Sequence, residues 1–269
     1  MGGRIDILKG VNVGTGRKFY RDKSLNSGTR SAFDLAVADM GGAKNLAAGA
    51  IIQDLSYNNY TASFSLAKTY DIARKGMAFS GVNNDGFDLS ADACMKPEDK
   101  HWMLVAWLRI SKAGTVSSFN NQLMHFSTVA TNGYPNAMLS IVPTTDANGQ
   151  PTKIEMGVRG KNYVVTNELM PLFDGNRHQF AVECEINAAG TSHTIRAYID
   201  KVVVFSSTSS VAATVPGAPV VRRIGTSSPF PTAWTGMLHR VRVDDVGTSG
   251  LAASDILSAD YALCSPRFS

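Results

Sequence analysis

The stretch that decides the fold begins Arg177-His178-Gln179-Phe180-Ala181-Val182-Glu183-Cys184-Glu185-Ile186. Phe180, Val182, Cys184 and Ile186 fall on one side and Gln179, Glu183 and Glu185 on the other, the period of two that marks a half-buried strand. Asn187-Ala188-Ala189-Gly190 interrupts the alternation, and Thr194-Ile195-Arg196-Ala197-Tyr198-Ile199 resumes it, so the two runs read as a hairpin. Asp200-Lys201 turns the chain again into Val202-Val203-Val204-Phe205. Arg223-Ile224-Gly225 and Gly236 to Val243 then flank a loop rich in proline and aromatic residues.

Working outward, the same pattern repeats. Trp102 to Ile110 is almost continuously apolar, as a central strand covered on both faces requires. Tyr60–Leu66, Met77–Gly81, Phe87–Leu89, Leu123–Ser127, Ala137–Val142, Lys153–Arg159 and Asn162–Thr166 are shorter strand-like runs. Turn signals separate them, Asn83-Asn84-Asp85-Gly86 being the strongest. Ser254 can cap a short helix through Leu257 toward Tyr261. About a dozen short strands with almost no helix predict an all-β fold, a two-sheet antiparallel sandwich.

The first fifty residues read differently. They are rich in Gly, Ser, Asn and Arg, and Ser31–Met40 has apolar spacing compatible with a short helix that Gly41-Gly42 stops. Residues 1–34 carry seven basic residues against three acidic ones, which accounts for the whole formal charge of +4 in the 269-residue chain. The expected organisation is an extended arm over 1–50 and a sandwich domain over 51–269. Arg4, Arg17, Lys18 and Arg21 are the expected arm contacts on an acidic partner surface.

Composition narrows the classes. A hydrophobic fraction of 44% with 18% charged residues fits a packed globular domain. No apolar run approaches the roughly 20 residues that cross a bilayer, so no membrane partner is expected. The segment Met1-Gly2-Gly3-Arg4-Ile5-Asp6 lacks the apolar core of a signal peptide, which predicts synthesis in a cytoplasm. Cys94, Cys184 and Cys264 are widely spaced and read as reduced thiols. The basic residues lack the helix-turn-helix, zinc spacing or aromatic interleaving of a nucleic-acid binder.

The order of short motifs resembles the laminin-G-like, concanavalin-A-like jelly-roll family over Asp54 to about Tyr261. Asp54-Leu55-Ser56-Tyr57-Asn58-Asn59 resembles its opening segment, and Phe79-Ser80-Gly81 the approach to its first core strand. Trp102–Arg109, Asp174-Gly175-Asn176-Arg177-His178, Ala197-Tyr198-Ile199-Asp200, and Ile224-Gly225 with Gly236–Val243 follow in family order. Leu251–Leu257 resembles the terminal helix, with Asp255 where Glu is usual, and Lys201 stands where the family has Gly. The resemblance implies a jelly roll with an irregular N-terminal arm and a short C-terminal helix. The family serves carbohydrate binding, adhesion, some glycoside hydrolysis and virion structure.

With the arm and the missing signal peptide, the resemblance implies a bacteriophage or prophage virion structural protein. In that reading the arm locks a homo-oligomer, a trimer for preference, onto other virion proteins. The alternative is a carbohydrate-binding module for host-surface glycans, with Tyr134, Phe230 and Trp234 as an aromatic platform. Calcium is the one cofactor considered, with Asp54, Asn84, Asp85 and Asp244 as its hard oxygen ligands.

Catalysis is expected to be absent. The E-x-D-x-x-E strand motif of hydrolases with this fold is missing. The nearest carboxylate pair, Glu183 and Glu185, shares a strand face at roughly 6–7 Å and reads as a solvated outer face. A divergent glycosidase using Glu183 is the minor reading. His101, His125, His178, His193 and His239 are scattered, with no elbow or zinc motif around them, and His178 reads as a packing histidine.

Overall fold

The computed structural model describes residues 22–56, 58–113, 122–129, 134–211, 216–226 and 234–268. Among the described residues, sixteen strands form two antiparallel sheets. In chain order they are β1 (Thr29–Asp34), β2 (Ile51–Gln53), β3 (Thr61–Phe64), β4 (Tyr70–Asp71), β5 (Gly76–Ser80), β6 (Gly86–Leu89), β7 (His101–Lys112) and β8 (Met124–Ser127). They continue as β9 (Ala137–Thr145), β10 (Pro151–Val158), β11 (Lys161–Val164), β12 (Arg177–Ile186), β13 (Ser192–Ile199), β14 (Val202–Ser210), β15 (Val221–Gly225) and β16 (Thr235–Asp245). The first sheet runs β14-β13-β12-β7-β16-β5-β4, with β1 also paired to β16, and the second runs β11-β10-β9-β8-β15-β6-β3-β2. This is the two-sheet antiparallel sandwich that the strand pattern predicted, in keeping with the jelly roll that the resemblance implied.

Alternation explains where the core lies. Leu104, Ala106, Leu108 and Ile110 of β7 and Phe180, Val182 and Cys184 of β12 face inward from the first sheet. They meet Phe64, Phe87, Phe126, Leu139, Ile141 and Met156 from the second. β7 lies between β12 and β16 and is buried on both faces, which is why its sequence shows no polar alternation. Burial in this core pushes the Cys94 and Cys184 thiols up to about 12.

Two expectations about the N-terminal segment change. Ser31–Met40 is not a helix, because Thr29–Asp34 pairs with β16 as β1 and only Ala38–Met40 forms a 3-10 turn. Phe33 and Leu35 are fully buried at a spacing of two, and the ladder to β16 overrides a weak helical pattern. Residues 22–50, assigned by sequence to the arm, thus supply a strand of the sandwich. The C-terminal helix is longer than its cap suggested. α3 spans Ala253–Cys264 beyond the short α1 (Thr166–Leu169) and α2 (Val246–Ser249), with Ala252 rather than Ser254 at its N-cap. Among the described residues no helix is long and apolar enough to cross a membrane.

α3 covers the outer face of the first sheet. Ile256 and Leu257 pack on Met103, Val105, Ala181 and Tyr198, while Cys264 and Phe268 pack on Trp107. Two arginines of β16 lie beneath this cover. Arg240 donates to Asp22 at 2.5 Å, Asp34 at 3.2 Å and Asp260 at 3.0 Å. Arg242 forks onto Asp244 at 2.6 and 2.7 Å and reaches the Ser24 carbonyl at 2.8 Å. Burial works against the Arg240 charge, but the surrounding aspartates, Asp260 foremost, outweigh it and raise its pKa well above the ordinary value. These contacts tie residues 22–34, β16 and α3 together.

The β13–β14 hairpin turns on Asp200 and Lys201, both in the left-handed region at φ 49° and 72°. Two consecutive positive φ values are what a two-residue primed turn needs, so lysine is accommodated where glycine would be free of strain. The Lys201 ammonium lies 4.5 Å from the Tyr261 ring of α3, a cation–π contact that holds the hairpin tip.

Candidate functional site

The outer face of the second sheet carries a row of polar side chains set by register. Ser63 opposes Asp88, Asp88 opposes Arg223, Arg223 opposes His125, and His125 opposes Ser140. Directly paired residues of antiparallel strands share a face, so these groups point the same way. The row passes Gly157 and ends at Asn162 on β11.

A cavity of about 310 Å³ opens at one end of this row, lined by Asn84, Asp88, Leu89, Val220, Val221, Arg222 and Arg223. Its floor is an ion pair with planar geometry. The Arg223 guanidinium donates to Asp88 through Nε at 2.6 Å and Nη2 at 2.7 Å. Nη1 donates to the Asn84 side-chain oxygen and, at 2.8 Å, to the Thr226 carbonyl. The Arg223 side chain is 13% exposed and Asp88 33%, so the pair faces the opening.

Local sequence explains the posture. Gly86 ends the Asn83–Gly86 turn, and a Cβ there would stand 2.2 Å from Cδ of Arg223. Gly225, at φ 110°, lies against the Asp85 carbonyl, which a Cβ would meet at 2.2 Å. The two glycines oppose one another across β6 and β15 and let the arginine lie flat over β6. Asn84 takes φ 59°, a conformation asparagine tolerates better than most residues. Val220, 62% exposed, adds an apolar wall.

His125 is the next group in the row. It is 2% exposed, and burial together with the Arg223 charge lowers its pKa to about 4, so it is neutral near pH 7.

The residues predicted by sequence scatter. Trp234 is 1% exposed and stacks on Phe79 with centroids 4.3 Å apart and planes 9° off parallel. It plugs the sandwich end and is not an exposed platform, because burying so large a ring outweighs presenting it. Phe230, the side chain of Tyr134, and Arg4, Arg17, Lys18 and Arg21 lie outside the described residues.

The four proposed calcium ligands are engaged by protein donors. Asp54 accepts from the Ala32 and Ser56 amides at 2.7 and 2.8 Å, and burial raises its pKa. Asp85 is fully buried against the Lys68 ammonium, which also sits 4.0 Å from the Phe79 ring. Asp244 is forked by Arg242, and burial prevails in raising its pKa. Of the four, only Asn84 reaches the cavity.

Of the Glu183–Glu185 pair, Glu185 meets solvent, its side chain 45% exposed, whereas Glu183 does not. Glu183 is 2% exposed and accepts from His101 Nε2 at 2.7 Å, Arg196 Nη1 at 2.9 Å and the Tyr198 hydroxyl. Arg196 Nη1 also reaches Glu185 at 3.3 Å. His101, Glu183 and Glu185 offer ligand atoms within 4.8 Å of one another, the spacing of a metal cluster, but Arg196 already stands between the two glutamates. Burial pushes the Glu183 pKa up; the hydrogen bonds from His101 and Tyr198 and the Arg196 charge outweigh it and leave it lowered. Glu183 is thereby held as an anion that ties β7, β12 and β13.

His178 is also held by carboxylates. Its Nδ1 meets Asp200 at 2.7 Å and its Nε2 meets Asp174 at 3.1 Å, and the Asp200 hydrogen bond chiefly raises its pKa.

No family profile and no curated protein sequence matches the chain. Solved structures do. Trypanosoma rangeli sialidase in complex with 2,3-difluoro-KDN aligns over 91% of this chain with TM-score 0.56 and 15% identity. The same sialidase with 2,3-difluorosialic acid, as the covalent intermediate, aligns over 91% with TM-score 0.57 and 13% identity. This chain spans 34% of the length of each of those sialidases. Domain 4 of AbnA, a GH43 extracellular arabinanase from Geobacillus stearothermophilus, in complex with arabinotriose, aligns more loosely, at TM-score 0.47 and 12% identity over 87% of this chain and 99% of that one.

These matches correct the expectation that the chain is not an enzyme. Chains sharing its fold are sialidases, so the missing hydrolase motif no longer excludes catalysis. At this identity the likeness is one of fold, and it assigns no activity.

Proposed function

We propose that the chain is a carbohydrate-binding β-sandwich that takes a saccharide in the cavity beside β6 and β15. The observation that carries this reading is the Asp88–Arg223–Asn84 ladder at the mouth of that cavity. Sugars present vicinal hydroxyls that donate and accept together, and planar carboxylate, guanidinium and amide groups match that pattern. Val220 and Leu89 offer apolar surface to the C–H face of a pyranose ring. Hydrogen bonds within the protein fix the ladder, so little ordering is needed on binding. The sialidase fold likeness supports the same reading, since proteins of this architecture accompany glycan chemistry.

A virion structural role, with an arm locking an oligomer, rests on the family resemblance, the irregular basic arm and the missing signal peptide, and nothing in the described residues adds to it.

The test is a glycan array with the full chain, followed by titration calorimetry of the strongest saccharide against Asn84→Ala and Asp88→Asn. Binding that weakens tenfold or more in both variants, with melting temperatures within a few degrees of the parent, is expected. An array without signal, or affinity untouched by both substitutions, contradicts the reading.

A further inference from the structure

We infer that Lys68 and Asp85 condense into an amide, an isopeptide crosslink between the segment before β4 and the turn before β6. Lys68 Nζ lies against Asp85 Oδ1 in the interior, the lysine side chain 2% exposed and the aspartate side chain fully buried. The centroid of the Phe79 ring stands 4.0 Å and that of Phe64 5.6 Å from the same nitrogen, and Trp234 stacks on Phe79. Aromatic rings thus shield the pair from water. Among the described residues Lys68 is the one buried lysine. By contrast, Lys96 beside Asp92 and Lys153 beside Glu155 have side chains 37% and 43% exposed, where hydration stabilises the separate ions and opposes condensation.

β5 holds both groups as the product needs them. Nζ donates to the Ala78 carbonyl at 3.1 Å, and Asp85 Oδ2 accepts from the Ser80 backbone amide at 3.1 Å. A secondary amide has one N–H to donate and one carbonyl oxygen to accept, and both find these partners already in place. The Ser80 N–H also faces the oxygen on which negative charge gathers as the nitrogen attacks the carboxyl carbon, the part played by an oxyanion donor. Reacting groups fixed in contact behave as if at very high concentration.

The step balances without a co-reactant. A proton passes from the ammonium to Oδ1, leaving a neutral amine beside a neutral acid. Burial favours that exchange, since it lowers the Lys68 pKa even though the Asp85 charge opposes the shift. The nitrogen lone pair then forms the Nζ–Cγ bond, and the Cγ–Oδ1 bond breaks with its electron pair on oxygen. Oδ1 leaves as water with two of the three ammonium protons, and the third stays on the amide nitrogen. Two buried charges, costly to hold out of water, are removed. The crosslink pins the Asn83–Gly86 turn, which presents Asn84 to the cavity.

The experiment is mass spectrometry of the denatured full chain, before and after digestion with trypsin. Expected is a mass one water below that of Lys68→Gln, a substitution that itself barely alters mass. Digestion should yield a branched peptide joining residues 45–74 to residues 76–100 through Lys68 and Asp85. Asp85→Ala should lack the branched peptide as well. Because Asp85 precedes Gly86, water can also be lost by ring closure onto the Gly86 amide. That product gives no branched peptide and persists in Lys68→Gln. A parent chain that has lost no water is held by an ordinary ion pair and overturns the inference, as does water loss without the branched peptide. The parent chain alone decides, so folding of the variants is not required, and either outcome leaves the glycan reading standing.

Discussion

The outer faces of the two sheets carry similar residues and treat them in opposite ways. On the first sheet, Arg240 and Arg242 are almost wholly buried, roofed by α3 and by the segment beginning at Asp22, each paired with aspartate and with its remaining donors on Ser24 and Thr29. On the second sheet, Arg223 has the same kind of forked partner, yet Asp88 stays one-third exposed at the mouth of a cavity. A buried and fully paired arginine is a structural tie, since its desolvation is offset only by partners that stay in place. A paired carboxylate that stays partly exposed at a cavity keeps acceptor positions open to a ligand. The contrast separates scaffold from site without appeal to any motif.

The largest expected effect lies on the sealed face. Arg240→Ala leaves Asp22, Asp34 and Asp260 buried without their shared cation and should lower unfolding stability by about 3–5 kcal/mol. Urea denaturation checks this, and a loss below about 1 kcal/mol breaks the distinction between the faces.

A smaller effect sharpens it through pH. His239, beneath the first sheet's cover and stacked near Phe268, has its pKa lowered to about 4, chiefly by burial, as has His125 on the second sheet. A folded pKa below the unfolded value near 6.5 means the unfolded chain binds more protons between those limits. Stability from each histidine is therefore complete above pH 6.5 and is lost as pH falls toward 4. Each contributes on the order of 2–3 kcal/mol to that slope. His178 has the opposite sign, because its raised pKa adds stability at low pH that disappears as pH rises through the folded value. Urea midpoints between pH 4 and 7 should fall on acidification, and His239→Gln should flatten the curve.

On the open face, Asp88→Asn should change stability by no more than about 1 kcal/mol, because a partly exposed pair is screened. Its effect on glycan affinity should be the larger one. The smallest change expected is Lys201→Gly. Relief at φ 72° and loss of the Tyr261 contact oppose each other, leaving a net shift within about 1 kcal/mol by thermal melting.

These two faces also mark how far the sequence could be read. The strands over Arg177–Ile186, Trp102–Ile110 and Gly236–Val243 were legible because period-two burial imprints itself on residue order. β1 was not, since Thr29–Asp34 carries Phe33 among small and polar residues and owes its conformation to pairing with β16. Glu183 looked solvated because alternation gives the side of a strand and not what covers that side. Its partners His101, Arg196 and Tyr198 come from other strands.

The cavity left only a partial trace. Asn83–Gly86 was visible as a turn, and Asn84 was noticed as an oxygen ligand. Its meeting with Asp88 and Arg223 depends on β6 pairing with β15, more than 130 residues apart in sequence. Trp234 and the dispersed acidic residues drew attention by type, whereas their environments decide their roles. The adjacent arginines at 222 and 223 could have been a signal, as neighbours in a strand point to opposite faces and cannot share one partner.

The most direct test of the central claim is an NMR titration of isotope-labelled chain with the strongest saccharide from the array. The account predicts saturable amide shifts concentrated at residues 84–89 and 220–226. Shifts centred on α3 and β16, or none at saturating saccharide, would contradict it.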